Sequence, residues 1–495
     1  MSRLFIACEL GEELGRVMLG TLHKDQLTLS EVLRFENVPI REKKSVLWDA
    51  AQLYQDALSG LREIGAYNEP VDSISCSSWT GDYLLFHSDA SFIPPTFHHA
   101  DPRTEAGRRD VLLKVTQEII YEETGVWADA RSTLFQLAAE KTKRLKRADL
   151  LMPVADGFNF LLSGVPWVEM SSASATQLYN PVIGDWSEPL LNTFGLPRRL
   201  FPSVVPSGTK LKALRPEIVK ATQLEDAQIV ASCSNELAAA LVALPTQDAE
   251  QWAFLRLGRS AVIGTELNAL AVGQAGREAN LNHTLGYKGA VYCHTETIGL
   301  QMIEAFRRSW LEANHGQDEG VLAHLAVMAE PLESLVNLAD ARFAAPGDLV
   351  EKIQAFCRET GQTVPRKPGP IYRCLMESLA LSYRKSLNDL ARATGREFTR
   401  LHLLGDSSNN MLNHFIANAL QLPITTAPDN AAAIGNVVVQ ALAMNRIESL
   451  GQARQIVQQS FKTGTVLPHP AGTWAPVYER FRELSEAGAT AVSVS

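Results

Sequence analysis

Two apolar stretches, each breaking into a glycine-containing turn, constrain this chain more than any other feature. The first covers residues 5–20 and carries Glu9 where its apolar run ends; the second covers 401–410 and continues into 433–436. Backbone N–H groups in such turns can face an anion, and the second turn leads directly into a predicted helix N-terminus, which also attracts anions. Turns of this kind at both ends of one chain indicate two lobes that close on a phosphate-bearing ligand.

The bulk composition narrows the class of protein. A chain of 495 residues is too long for one hydrophobic core, so we expect two or more domains. The net charge of -9 is spread along the chain without a basic stripe, which argues against nucleic acid as a partner. No uncharged run reaches the ~20 apolar residues that span a bilayer, and the predicted strand at the start of the chain leaves no room for a signal peptide. We therefore expect a cytoplasmic protein with no membrane partner.

Cysteine and histidine spacing bears on redox state and metal binding. The six cysteines form no C-x-x-C pair, so we expect reduced thiols. None of the eleven histidines falls at metal-ligand spacing; His98 and His99 are adjacent, which argues against a zinc site.

Hydrophobic periodicity predicts an order of elements that occurs twice. The first occurrence is an antiparallel meander of three strands, a helix, and two further strands that pair with each other: 3–9, 15–22, 26–36, 48–61, 71–79 and 82–87. After the polar segment 246–250 the order starts again with a hairpin, two helices, a strand and two more helices: 252–258 with 261–267, 296–312, 371–387, 401–404, and from about 409 and 429. The chain is therefore predicted to be a pseudo-duplication in topology.

Short segments across both halves resemble the FGGY carbohydrate kinases, and within that family the rhamnulokinase branch. The likeness covers about residues 3–445 and is carried by these segments together: Leu10-Gly11, 15–18, Trp48-Asp49, Trp79, Asp82-Tyr83, 101–104, 133–137, 173–178, 184–186, 195–198, 200–202, 373–384 and 433–436.

The resemblance implies an α/β fold of two ribonuclease-H-like (actin/hexokinase-type) lobes with a central cleft. It makes 1–246 the lobe that binds sugar and supplies the catalytic base, and 247–485 the nucleotide-binding lobe; 486–495 is expected to be a loose tail. The implied reaction moves the γ-phosphoryl group of ATP, bound with Mg²⁺, to a ketose hydroxyl, which needs a phosphate cradle, a metal ion and a carboxylate base. The expected partners are a small-molecule sugar and ATP; a homodimer is left open.

The first turn corresponds to the family's phosphate-facing loop. Its expected nucleotide-binding residues are Glu12, Glu13, Leu14, Gly15 and Arg16. Glu9 stands where the family has a metal-facing aspartate and is expected to hold Mg²⁺ through water; the alternative is a strand-end glutamate exposed to solvent. Arg16 either offsets the negative charge of the turn or anchors the hairpin.

The family's sugar-contacting turn corresponds to Trp79, Thr80 and Asp82. A tryptophan face stacks on a sugar ring and an aspartate accepts from hydroxyls; the alternative is a core tryptophan and a turn aspartate. The family's Asp-Thr before the tryptophan is Ser77-Ser78 here.

The family's catalytic His-Asp-Thr, which precedes an alanine-rich helix, corresponds to Asn235-Glu236-Leu237. This makes Glu236 the catalytic base and its two neighbours sugar ligands. A shifted alignment places Cys233-Ser234 opposite the family motif and leaves no base. In a third interpretation Ser234 caps the helix and Glu236 lies in its first turn.

The remaining nucleotide contacts implied by the family are Gly258, Arg259, Glu296, Glu304, Gly405 and Asn409. Arg259 replaces a small hydroxyl residue and either neutralises the terminal phosphate, excludes ATP, or pairs with Glu9, Glu12 or Glu13. Glu296 and Glu304, expected on one helix, replace an Asn and a Gln.

Two functions are therefore open. One is a working, rhamnulokinase-like sugar kinase with Glu9 on the metal and Glu236 as the base. The alternative is a catalytically impaired relative that binds sugar or nucleotide as a sensor or scaffold.

Overall fold

The structure is a computed structural model that describes residues 2–127, 131–246, 251–314, 319–470 and 472–490. The chain divides into two compact units. Unit 1 comprises Met1–Asp248, Glu266–Cys293 and Pro428–Lys462, and unit 2 comprises Ala249–Thr265, His294–Ala427 and Thr463–Ser495. The sugar and nucleotide roles assigned to 1–246 and 247–485 stay predictions.

The strands are, in chain order, β1 (Arg3–Leu10), β2 (Leu14–His23), β3 (Gln26–Glu36), β4 (Ile40–Glu42), β5 (Ser45–Trp48), β6 (Val71–Ser78), β7 (Tyr83–Phe86), β8 (Thr96–Phe97), β9 (Leu150–Pro153), β10 (Trp167–Glu169), β11 (Tyr179–Asn180), β12 (Asp185–Trp186), β13 (Ser203–Val205), β14 (Thr209–Ala213), β15 (Gln228–Ala231), β16 (Trp252–Leu257), β17 (Ser260–Leu267), β18 (Asn282–Leu285), β19 (Val291–Ile298), β20 (Arg400–Gly405), β21 (Ile424–Thr426) and β22 (Thr465–Val466).

The helices are α1 (Ala50–Gly65), α2 (Arg103–Leu112), α3 (Gln117–Thr124), α4 (Thr133–Ala138), α5 (Thr142–Arg147), α6 (Val154–Ser163), α7 (Met170–Ser174), α8 (Glu188–Thr193), α9 (Pro216–Thr222), α10 (Glu236–Val242), α11 (Gln274–Glu278), α12 (Gln301–Ala313), α13 (Glu319–Val327), α14 (Ala341–Ala344), α15 (Leu349–Glu359), α16 (Pro368–Thr394), α17 (Asn410–Leu420), α18 (Ala431–Ala443), α19 (Leu450–Ser460) and α20 (Trp474–Thr490). Short 3₁₀ turns lie at Arg198–Leu200 and Tyr287–Gly289.

The central sheet of unit 1 has the order β14-β15-β6-β1-β2-β3. Strands β1, β2 and β3 form the predicted antiparallel meander, whereas β6 runs parallel to both β1 and β15. Helix α18 packs on β1, and α6 packs on β6. The apolar side chains of β1 are consequently buried, which is why this strand reads as a continuous hydrophobic run.

The sheet of unit 2 repeats this plan. The strands of this sheet that lie wholly or partly in unit 2 follow the order β19-β17-β16-β20-β21-β22, with β16 antiparallel to β17 and parallel to β20, and β20 parallel to β21. In each unit the first strand thus pairs with a hairpin partner on one side and with a later parallel strand on the other. The predicted pseudo-duplication in topology is confirmed.

The pairing predicted between 71–79 and 82–87 is wrong. Strand β7 pairs with β9, not with β6. Both sides of β6 are taken by its parallel neighbours β1 and β15, so no hydrogen-bonding edge remains for a hairpin partner.

Two predicted boundaries also differ. Residues 296–298 belong to β19, and α12 begins only at Gln301, because the β-branched residues before Gly299 favour a strand. Helix α20 extends to Thr490, so 486–490 are helical where a loose tail was expected; 491–495 lie outside the described residues.

All six cysteines are free and buried, as expected for reduced thiols. In the part of the chain that the structure describes, no helix combines the length and apolarity needed to cross a membrane.

Candidate active site

Three predicted site residues lie at one edge of the unit 1 sheet. Glu9 lies near the end of β1, Trp79 directly follows β6, and Glu236 begins α10 shortly after β15. These three strands are parallel neighbours, so their carboxyl ends meet at the same edge. That edge is where open α/β sheets bind their ligands.

Glu9 is a buried carboxylate and not the solvent-exposed residue of the alternative interpretation, since it is only 6% exposed. Its Oε2 lies 2.7 Å from Nη2 of Arg16, the residue opposite it on β2. The N–H groups of Arg16 are not aligned with Oε2, which therefore lacks a well-directed donor. The backbone N–H of Ala433, in the first turn of α18, donates to the same carboxylate. Burial raises the pKa of Glu9 to about 7, against the lowering effect of Arg16, and the charge of Glu236 also raises it.

Arg16 joins the hairpin to α18 through two side-chain contacts. Besides its contact with Glu9, its Nη1 donates to Oδ1 of Asn430 at 2.5 Å. Asn430 is the N-cap residue of α18 and has the left-handed backbone conformation. The guanidinium therefore ties β1 and β2 to the N-terminus of that helix.

The predicted phosphate-facing loop is shorter than expected. Its turn is closed by a hydrogen bond from Gly11 N to Leu14 O at 3.1 Å, and Leu14 already begins β2. Glu12 and Glu13 are exposed in this turn. Gly15 lies within β2 below Phe35: a Cβ at this position would be 2.0 Å from the phenyl ring, so any other residue would have to displace that ring.

Glu236 occupies the first position of α10, and its side chain is partly exposed. The cap is not Ser234, as the third interpretation had it, but Asn235, whose Oδ1 accepts from the backbone N–H groups of Leu237 and Ala238. Among the described residues, the Glu236 carboxylate makes no hydrogen bond or ion pair. It is thus an available acceptor at a helix N-terminus, where negative charge is stabilised.

Asp82 accepts hydrogen bonds from four side chains and is 1% exposed. Its Oδ2 accepts from the indole N–H groups of Trp48 and Trp79, at 2.6 and 2.8 Å, and lies 3.1 Å from Nδ1 of His99. Its Oδ1 accepts from Nε2 of Gln136 at 2.9 Å. Oδ2 is therefore fully used in fixing two indoles and an imidazole, while Oδ1 holds the amide of Gln136.

Asp82, His98 and His99 each have one potential metal-ligating atom, and these three atoms lie within 4.8 Å of one another. The sequence spacing of the three residues did not indicate this cluster. The three donors on Asp82 Oδ2 leave this oxygen no free lone pair for a metal ion. His98 stacks on Trp48 with ring centroids 4.4 Å apart, and its Nδ1 accepts from Ala100 N. Hydrogen bonding and stacking account for this cluster without a metal ion.

His99 extends from this cluster towards the first turn. Its Nε2 lies 3.9 Å from Oε1 of Glu12. Trp79, which also bonds to Asp82, is buried at 7% exposure, and the next residue, Thr80, is exposed. Asp82 thus orients an imidazole and an indole beside the carboxyl edge of the sheet.

In unit 2, Gly258 and Arg259 form the turn of the β16–β17 hairpin, and Arg259 is exposed. Gly299 approaches this turn so closely that a Cβ would lie 2.3 Å from the carbonyl oxygens of both residues. Glu296 is exposed on β19 and not on the helix that was predicted for it.

A cavity of about 380 Å³ lies within unit 2, beside the turn that follows β20. Among its lining residues are Glu304 and Arg307 of α12, Tyr372 of α16, and Asp406 and Asn409 of the turn. Asn409 caps α17 by accepting from Leu412 N. Gly405 has a left-handed φ of 77°, and a Cβ there would lie 2.0 Å from Leu257 O, so the turn requires glycine. Two predicted nucleotide-binding residues, Glu304 and Asn409, therefore share one cavity.

The sequence comparisons decide the family. The N-terminal domain of the FGGY family of carbohydrate kinases matches residues 21–243, and the C-terminal domain of the same family matches 253–444. The rhamnulokinase of Bacteroides thetaiotaomicron is 30% identical to this chain, over 97% of the chain and 99% of the relative. The chain belongs to the FGGY family of carbohydrate kinases.

Further sugar kinases are similar to this chain in sequence or in fold. The rhamnulokinase of Enterococcus faecalis is 29% identical over 94% of this chain and 95% of its own length. The crystal structure of gluconate kinase from Lactobacillus acidophilus aligns with a TM-score of 0.83 at 14% identity, covering 100% of both chains. A ligand-bound xylulose kinase from the same organism aligns with a TM-score of 0.82 at 14% identity, covering 98% of both chains. The predicted two-lobe fold class is confirmed.

Membership also confirms the predicted class of reaction, phosphoryl transfer to a sugar. FGGY kinases use ATP as co-substrate together with a divalent metal ion, and the partners are small molecules. Family membership does not by itself assign residues of this chain to ATP, the metal ion or the sugar.

Several residues of this site were missed from the sequence alone. Trp48 and Gln136 entered only as part of the family likeness, and His99 had no predicted role, although all three bond to Asp82. They lie 34, 54 and 17 residues from Asp82. Neither periodicity nor motif spacing reveals hydrogen bonds across such separations.

Proposed function

We propose that this protein transfers the γ-phosphoryl group of ATP to a hydroxyl of a ketose, and that L-rhamnulose is the first sugar to test. The choice of sugar rests on relatives named rhamnulokinase that align over nearly the whole chain. The observation that carries the proposal is the Glu236 carboxylate: it has no protein donor among the described residues, is partly exposed, and starts a helix at the ligand-binding edge of the sheet.

Glu236 is the proposed catalytic base. A carboxylate within hydrogen-bond reach of the attacking hydroxyl can take its proton as the oxygen bonds to phosphorus. The N–H groups of the first turn of α10 stabilise the ionised form that a base requires. The shifted alignment places Ser234 opposite the family's aspartate and leaves no catalytic base. It is disfavoured because Ser234 is buried and bonded to Asp156 and Glu169.

Glu9 is the proposed metal-facing residue, and its chemistry fits Mg²⁺. Its Oε2 is buried without a well-directed donor, and carboxylate oxygens are ligands that Mg²⁺ prefers. When bound there, the ion would neutralise charge on the phosphates of ATP. Arg16, at 2.7 Å, balances the Glu9 carboxylate until the cation arrives.

The other predicted sugar-site residues differ in their surroundings. Trp79 and Thr80 remain proposed sugar contacts. We assign Asp82 the role of orienting Trp79 and His99, because its Oδ2 already accepts from both side chains and from Trp48. Asn235 holds the start of α10, and Leu237 is buried behind it, so we propose that both act by placing Glu236.

We propose the unit 2 cavity as the site of the ATP base and ribose. Asp406 offers a carboxylate that can accept from ribose hydroxyls. In unit 1, the residues that remain proposed nucleotide contacts are Glu12, Glu13, Leu14, Gly15 and Arg16; in unit 2 they are Gly258, Arg259, Glu296 and Gly405. The acidic members of this set are compatible with phosphate only when Mg²⁺ is bound.

The test is turnover. Purified protein is mixed with Mg-ATP and L-rhamnulose, L-fuculose or xylulose, and ADP release is followed. We expect one ketose to be phosphorylated and Glu236→Gln to abolish the reaction while sugar still raises the melting temperature. Glu63→Gln, an exposed glutamate on α1, is the matched control and keeps the wild-type rate.

The opposite result is equally defined. If a ketose raises the melting temperature, ATP does not, and no sugar releases ADP, the protein is the impaired sugar-binding relative. Homodimerisation and residence in the cytoplasm are further expectations, which size-exclusion chromatography and localisation of the tagged protein would test.

A further inference from the structure

Two carboxylates are buried directly behind the segment that leads into Glu236. Asp156 of α6 is 1% exposed and Glu169, at the end of β10, is 0% exposed. Neither makes an ion pair within the described ranges; their partners are serine hydroxyls and backbone N–H groups. Burying a carboxylate without a counter-charge costs several kcal/mol in real proteins. A fold that needed only packing at this point would be better served by apolar side chains.

Glu169 receives the backbone of the segment before the proposed base. Its Oε2 accepts from the backbone N–H of Ser234 at 2.9 Å and from the hydroxyl of Ser171. That same Ser171 hydroxyl accepts from the backbone N–H of Asn235 at 3.0 Å. Both N–H groups that immediately precede Glu236 therefore end on one carboxylate, one directly and one through a serine.

The other side of the Glu169 carboxylate is also fixed. Its Oε1 accepts from Ser171 N at 3.0 Å and from Ser207 Oγ at 2.5 Å. Asp156 supports the same segment from α6, because its Oδ1 accepts from Ser234 Oγ at 2.8 Å and from Glu169 N at 3.1 Å. With four donors on its two oxygens, the Glu169 carboxylate has one orientation.

We propose that Glu169 is a positioning residue for the phosphoryl transfer: it fixes residues 234 and 235 and thereby aims the Glu236 carboxylate at the sugar hydroxyl. This inference rests on the proposed function of Glu236. Asn235 is the N-cap of α10, so the direction in which the helix starts follows from where its N–H group is held. Misplacing a catalytic group by ~1 Å can cost about a hundredfold in rate.

The decisive variants are Glu169→Gln and Ser171→Ala. A glutamine amide in place of the carboxylate has one NH₂ group, which must face either Ser171 N–H or Ser234 N–H, so one backbone donor loses its acceptor. Ser171→Ala removes the acceptor of Asn235 N–H and one hydroxyl donor to Glu169 Oε2, and it keeps the buried acid. Ser187→Ala is the matched control: this buried hydroxyl of the same unit donates to Glu123 Oε1 at 2.7 Å and bonds to neither Asp156, Glu169 nor residues 233–236.

Two measurements are made on the full-length protein: kcat with the ketose found above, and amide hydrogen exchange of residues 233–236. We expect Glu169→Gln and Ser171→Ala to lower kcat by ~10–100-fold with the KM for ATP within about twofold, and to speed exchange of the Ser234 or Asn235 amide by about tenfold. Ser187→Ala keeps both near wild type. Should Glu169→Gln fail to fold, Ser171→Ala decides.

The inference would be overturned if the amides of 233–236 exchanged at the wild-type rate in both Glu169→Gln and Ser171→Ala. It would also be overturned if exchange became faster while kcat stayed unchanged. A fall in kcat that accompanies uniform loss of protection across unit 1 would also overturn it, since that is a general loss of stability. If the wild-type protein phosphorylates none of the sugars, the proposed function fails, and amide exchange alone decides whether Glu169 fixes this segment.

Discussion

Replacing Gly435 with alanine tests whether the packing of α18 against α10 sets the position of the base. A Cβ at Gly435 would lie 1.8 Å from the carbonyl oxygen of Ala239 in α10. A carbon–oxygen contact needs about 3.3 Å, so the two helices must separate by roughly 1.5 Å to admit one methyl group. Glu236 begins α10 and moves with it.

The magnitude follows from that displacement. Overpacking of a core costs about 1–3 kcal/mol of unfolding free energy, and a shift of ~1 Å at a catalytic group costs about a hundredfold in rate. We therefore expect Gly435→Ala to lower kcat by ~100-fold and the melting temperature by several degrees. The assays are ADP release with the identified ketose and thermal unfolding followed by circular dichroism.

The matched control is Gly451→Ala. Gly451 lies in helix α19, and the nearest atom to a Cβ there is Ser449 Oγ at 3.9 Å, so the methyl group fits. Gly451 is the second residue of this helix, where alanine gains less over glycine than in the interior, so the control should melt no lower than the wild type with an unchanged rate. A Gly435→Ala protein with wild-type kcat and melting temperature would refute the reasoning, because α10 and α18 would then be free to adjust without moving the base.

Three other outcomes are expected. Glu9→Gln should raise the Mg²⁺ concentration that gives half-maximal activity by about tenfold, since a neutral amide is a weaker ligand for a hard cation; a Mg²⁺ titration of ADP release checks it, and an unchanged midpoint would place the metal elsewhere. Asp82→Asn should lower the unfolding free energy by about 2 kcal/mol, because an amide cannot accept from all four donors that meet this carboxylate; thermal unfolding measures it, and a wild-type melting temperature would contradict the network. Burial raises the pKa of Asp156 to about 6 and of Glu169 to about 7, so the folded state holds protons that the unfolded state has released above about pH 4.5. The unfolding free energy should then fall as the pH rises from about 5 to 7, and Glu169→Gln should flatten that slope in melting curves recorded across this range; a mutant slope equal to that of the wild type would refute this assignment.

The sequence by itself determined the repeated order of elements and the family. The meander of β1, β2 and β3 and the hairpin of β16 and β17 follow from periodicity and turn residues, which are local properties of the chain. Motif letters spread over both halves were sufficient to identify an FGGY kinase. They also indicated Glu9 and Glu236, because a carboxylate replaces a carboxylate in each motif.

Tertiary structure alone decided what these side chains face. Nothing in the letters shows that Glu9 is buried beside Arg16, that Asp82 is occupied by two indoles, or that Glu169 holds the backbone before Glu236. The strand partner of β7 was likewise decided by which edge of the sheet remained free. Hydrogen bonds and burial depend on residues far apart in sequence that packing brings together, whereas periodicity reports only on neighbours within a few turns of the chain.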